Sequence, residues 1–115
     1  MEKVKIEKGT ILVAHYSIGY WPRCAFFRVK EYARSGAPRI RELTRTVVSE
    51  SSTPADSNTE VTLDINNTQE KGPIRNTRWS KKEQSWVIRL DEGKHGIATL
   101  SDYISGKVYS EPTYG

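Results

Sequence analysis

Two histidines, one cysteine and a set of arginines interleaved with aromatic rings are the residues of this 115-residue chain with chemistry to offer. His15 lies inside TILVAHYSI (Thr10 to Ile18), a run whose β-branched and aromatic residues read as a strand, and His95 lies in the turn-like Gly93-Lys94-His95-Gly96. Neither has a carboxylate or second imidazole at metal-ligand spacing, so a zinc site is not expected. Cys24 follows Arg23, which would favour a reactive thiolate, but its strand position reads as a buried structural thiol. No glycine-rich loop leads into a helix, so no phosphate cradle of that kind is expected. Hydrolytic or transfer chemistry therefore has no visible carrier, and neither a catalytic residue nor a cofactor is called for.

Binding chemistry does have a carrier. Of three Trp, six Tyr and two Phe, six rings alternate with Arg at Tyr20-Trp21-Pro22-Arg23, Phe26-Phe27-Arg28, Arg78-Trp79 and Trp86-Val87-Ile88-Arg89. Flat rings accept a stacked base, and guanidinium forks accept a phosphate or carboxylate bidentately. Phe27, Trp86 and one of Phe26 or Tyr32 are expected in the core, whereas Tyr20, Trp21 and Trp79 flank turns and are expected at the surface. The ligand-binding set read from the sequence is Tyr20, Trp21, Arg23, Arg28, Arg39, Arg41, Arg45, Arg75, Arg78 and Trp79.

The elements that must position these groups are strands. Cys24 to Tyr32 alternates Ala25, Phe27 and Val29 against Phe26, Arg28 and Lys30, the period of a strand with one buried face. Ser35-Gly36-Ala37-Pro38 supplies a turn into a third run, Arg39 to Glu50, making an antiparallel hairpin. Within that run neither alternating face is cleanly apolar, which calls for a bulge, an edge strand or an oligomer contact. Residues 49–59 (SESSTPADSNT) hold nothing apolar larger than Ala55 and read as a mobile loop. EVTLDIN (Glu60 to Asn66) gives the cleanest strand signal, Asn66-Asn67-Thr68 reads as a turn, and further strands run from Gly72 to Trp79 and from Trp86 to Leu90. IATLSDYIS (97–105) is compatible with two turns of helix or with a strand. The fold class is mainly β: one small domain over residues 1–115, barrel-like or sandwich, with six to eight short antiparallel strands and at most one short helix.

Composition bounds the remaining classes. With 36 % apolar and 28 % charged residues and no apolar run approaching the ~20 residues that cross a bilayer, no membrane partner is expected. Met1 to Lys8 alternates charges, so no secretory leader is expected, and a single cysteine fits a reducing compartment. The net charge of +4 is unevenly spread: residues 1–48 carry ten basic and four acidic groups, 49–72 one and five, 73–115 seven and five.

The succession of Gly19-Tyr20, Phe26-Phe27-Arg28-Val29, Ile40-Arg41-Glu42-Leu43, Gly72-Pro73-Ile74-Arg75, Gly106-Lys107-Val108-Tyr109 and the closing Tyr114-Gly115 resembles a group of short β-rich proteins carried by bacteriophages and plasmids. Their pattern is a Trp-Gly-Tyr turn, an Ile-Arg-Glu-Ile strand, and a Gly-Lys-Pro with a terminal Tyr. Ile18 stands where that pattern has Trp, and Val108 where it has Pro. The resemblance implies a mobile-element protein in a bacterial host cytoplasm that blunts host defence, and it supplies no catalytic residues. The first functional reading is then a non-catalytic binding protein that captures an anionic small molecule such as a nucleotide immune signal. The second is an inhibitor whose Arg39, Arg41 and Arg45 dock on an acidic host defence or replication enzyme. A nucleic-acid binder comes third, because +4 is a small excess for that role. A homo-oligomer would cover the mixed third run.

Overall fold

The computed structural model describes residues 5–18, 21–53, 56–90 and 96–114. Among them are nine strands and no helix: β1 Ile11–Ile18, β2 Trp21–Tyr32, β3 Pro38–Leu43, β4 Thr46–Ser52, β5 Asp56–Thr62, β6 Glu70–Ser80, β7 Ser85–Arg89, β8 Ile97–Asp102 and β9 Tyr109–Tyr114. β1, β2, β3, β6, β7 and β8 pair with their neighbours antiparallel, and β8 returns to β1, closing a six-stranded up-and-down barrel. The β4–β5 hairpin is inserted between β3 and β6, and the chain end supplies β9 to it, giving a three-stranded sheet ordered β4-β5-β9.

Alternation in β1 and β2 feeds two cores. Leu12, Ala14, Ala25, Phe27 and Val29 point into the barrel with Ile40, Trp86, Ile88, Ala98 and Leu100. Val13, Cys24 and Phe26 point outward and are covered by the small sheet, packing with Leu43, Val61 and Leu63. Tyr103 and Tyr109 meet the Phe26 ring edge-on, both at 5.7 Å between centroids. Phe26 and Phe27 are both fully buried, on opposite faces of one strand, and each contributes about 2–3 kcal/mol by leaving water. Eight strands make a barrel just wide enough to fill with side chains, so six leave an interior occupied by residues and not by a ligand.

The structure corrects several expectations. The third run is two strands, dividing at Thr44 and Arg45 with β3 in the barrel and β4 in the small sheet, while the bulge and the edge strand expected for it are both found in β4. Residues 49–59 are not a loop for most of their length. Ser49, Glu50, Ser51 and Ser52 pair with Glu60, Thr59, Asn58 and Ser57, and β5 is paired on its other side with β9, so backbone pairing on both sides of β5 fixes the segment, with burial supplied at its base by Val61. The strand count is nine instead of six to eight because the third run divides into two strands, β3 and β4. Residues 97–102 are strand β8 and not helix, held between β1 and β7. The turn before β3 is as expected, with Gly36 at φ +88°, a left-handed conformation that favours glycine. No helix among the described residues is long and apolar enough to cross a membrane.

Candidate functional site

The ten candidate residues fall into separate groups. Tyr20 lies outside the described residues, as does His95. Trp21 is half-buried at the start of β2. Trp79 is half-buried instead of exposed, edge-on to Trp86 at 5.4 Å, because its phase in β6 turns it toward the barrel interior. Arg75 is half-buried opposite Ile40. Tyr32 is 39 % exposed, leaving Phe26 as the second core phenylalanine.

Arg23 and Arg45 belong to a seam between β2 and β9. Arg23 donates from Nη1 to the Pro112 carbonyl at 3.0 Å and from Nη2 to Thr113 Oγ1 at 2.8 Å. Arg45 pairs with Glu111 Oε1 at 2.5 Å, and Glu111 Oε2 accepts the Cys24 backbone N–H at 2.9 Å. Burial works against the Arg45 cation, but the hydrogen bond and charge of Glu111 raise its pKa above the ordinary value. These two arginines therefore hold the small sheet to the barrel and are removed from the binding set. Cys24 sits beneath them, its thiol pushed up to about 11, chiefly by burial and then by the Glu111 charge. His15 donates to or accepts from Ser101 Oγ at 2.9 Å and stacks obliquely on Tyr109, with its pKa lowered by burial and by Lys107, as expected of a satisfied histidine.

The remaining arginines share one surface. Residues directly opposite in an antiparallel pair lie on the same face, as do residues two apart in one strand. Arg28 stands opposite Arg41, Arg41 and Arg39 are two apart, Arg39 stands opposite Asn76, Asn76 and Arg78 are two apart, and Arg78 stands opposite Val87, two before Arg89. Ile40, Thr77 and Ile88, which alternate with them, are buried. The outward face of four adjacent strands, β2, β3, β6 and β7, thus carries a band of five arginines roughly 15 Å across. It begins where the cover of the small sheet over Phe26 and Leu43 ends.

Two guanidiniums in the band are held by partners. Arg39 pairs with Glu31 at 2.6 Å and donates from Nε to Asn76 Oδ1 at 3.0 Å. Arg41 donates from Nε to the Gly72 carbonyl at 2.8 Å, which engages one of its five N–H groups. Lys30 pairs with Glu70 at 2.9 Å, and its hydrogen bond, reinforced by the charges of Lys30, Arg41 and Arg28, holds the Glu70 carboxyl below its ordinary value. Arg78 and Arg89 flank a depression of about 170 Å³ floored by Val87 and Ile88 and rimmed by Ile97.

Lys30, Glu70 and Arg89 are missing from the residues read off the sequence. Lys30 shares the alternation of Arg28 and was legible; the placing of β2 and β6 on either side of β3, which brings Glu70 within its reach, was not. The chain matches no protein-family model, no curated protein sequence and no solved structure, and its function is read from this geometry.

Proposed function

We propose that this chain is a non-catalytic binding protein that docks its arginine band on an acidic surface of a partner protein. In the bacteriophage or plasmid setting that the sequence resemblance implies, the partner is a host defence or replication enzyme and the effect is inhibition. The observation that carries this reading is the alignment of Arg28, Arg41, Arg39, Arg78 and Arg89 on one outward face of four consecutive strands. No aromatic ring stands on the described outward positions of that band, and stacking on rings is how single strands and nucleotides are gripped. Glu31 and Glu70 are embedded among the cations. Mixed charge of this kind complements a protein surface better than a uniform row of phosphates.

The test is charge reversal combined with cross-linking in host extract. The Arg41→Glu/Arg78→Glu double variant is expected to keep its melting temperature and to bind the partner cross-linked by the native protein about 10- to 100-fold more weakly. Cross-links should map to β3, β6 and β7, and binding should weaken as salt rises. Undiminished binding by the double variant would overturn the reading. A thermal-shift screen against mono-, di- and cyclic nucleotides runs beside it: a nucleotide that raises the melting temperature of the native protein, and not of the variant, transfers the band to nucleotide capture.

A further inference from the structure

We infer that β4 is a self-association edge, pairing antiparallel with β4 of a second copy about a two-fold axis. A sheet edge presents a row of unpaired backbone N–H and C=O groups, and proteins blunt such edges with lysine, proline, a bulge, burial or closure. The barrel has no edge because β8 closes on β1. The β9 edge is occupied: Pro112 lacks an N–H, and its carbonyl and the Thr113 hydroxyl accept from Arg23. The opposite edge is treated differently. All seven residues of β4 are exposed, none is Lys or Pro, and Val47 and Val48 are 49 % and 53 % exposed. A bulge makes Val48 the extra residue between Val47, which faces Val61, and Ser49, which faces Glu60.

The occupant is a second copy because the segment complements itself. In the two-fold register that sets Val47 against the partner's Val48, Thr46 meets the partner's Ser49 and Arg45 meets the partner's Glu50. The centre is then apolar on apolar, the flanks are hydroxyl on hydroxyl, and opposite charges close both ends. Glu50, the single charged residue of β4, never faces its own copy. Arg45 has capacity for the second carboxylate, since its side chain is 38 % exposed while it serves Glu111 and the Cys24 carbonyl with Nη1. The pairing would merge two three-stranded sheets into one of six.

Sedimentation equilibrium of the full chain across a wide concentration range tests this. The mass of the native protein should rise from 13.1 kDa toward twice that value, and amide exchange in β4 should slow as it does. Val48→Lys should stay at the monomer mass with an unchanged melting temperature, because the side chain is already exposed. Glu50→Arg should raise the dimer dissociation constant about ten-fold, since symmetry counts the altered pair twice. Ile65→Lys, at an exposed position outside β4, should dimerise like the native chain. A native protein that remains at 13.1 kDa up to about millimolar concentration overturns the inference. So does a Val48→Lys variant that dimerises as well as native, or β4 protection that appears only when a different protein is added. None of these outcomes depends on the arginine band.

Discussion

A carboxylate left 4 % exposed between two layers of sheet has to be paired and hydrogen-bonded, and Glu111 is both, through Arg45 and the Cys24 N–H. Glu111→Ala leaves a backbone donor and a guanidinium without their acceptor and is expected to cost about 3 kcal/mol, measured by urea unfolding. Arg45→Ala should cost about 2 kcal/mol, because water reaches that end of the pair. Cys24, beneath the same contact, gives a pH signature. Its folded pKa of about 11 lies above the ordinary 9.0, so below pH 9 the thiol is protonated in both states and contributes its full stability. Between about pH 9 and 11 the unfolded chain releases that proton first, and stability falls. A melting-temperature series in alkaline buffers should show this decline, and Cys24→Ala should remove that part of it. At neutral pH the native thiol should resist iodoacetamide until urea unfolds the chain. Reading Cys24 as structural needed only its place in a strand; naming Arg45 and Glu111 as its neighbours needed residues 21 and 87 positions away to be brought together.

At the scale of the element, β2 is decisive because it has two kinds of outward surface. Its first half, Cys24 and Phe26, faces the small sheet; its second half, Arg28 and Lys30, does not. The alternation of small and large apolar residues with arginine was visible in the sequence, but alternation alone cannot show that Phe26 is covered from outside while Phe27 fills a barrel. Phe26→Ala should therefore cost about 3–5 kcal/mol and act on one layer more than the other. Amide exchange should quicken in β4, β5 and β9 while the barrel strands keep most of their protection. Equal loss in both layers would show that they unfold as one unit. The hydroxyl-rich β4 and β5 mark the opposite case: composition predicted no order because it counts apolar area, whereas this ribbon is fixed by backbone pairing and by Val61 at its foot.

The whole molecule measures 50 × 33 × 24 Å, a packed barrel with a sheet laid against one side. Its net charge says little about what it binds, because the acidic stretch at 49–72 offsets the arginines in the sum without lying among all of them. Glu70 is the exception, set among Arg28, Lys30 and Arg41. Under the proposed docking, Glu70→Gln strengthens binding of an acidic partner several-fold at low ionic strength, with the gain shrinking as salt rises. The same variant should flatten the acid limb of the stability curve. Because the folded pKa lies below the ordinary 4.5, the native carboxylate stabilises the protein above that pH, and this contribution is lost as the pH falls through the folded value.

By itself the sequence determined a small β domain, since periods of two and turn residues at short intervals act locally and survive in any tertiary context. It also showed that guanidinium groups are numerous and clustered, because number and clustering are properties of composition. Only the tertiary structure decided which arginines are fasteners and which form a surface. Arg23 and Arg45 were indistinguishable from Arg28 and Arg41 along the chain, and they were separated when the chain end returned as β9 and set Glu111 beside β2. Long-range pairing of this kind is set by which faces bury one another, and no window of neighbouring residues carries that information.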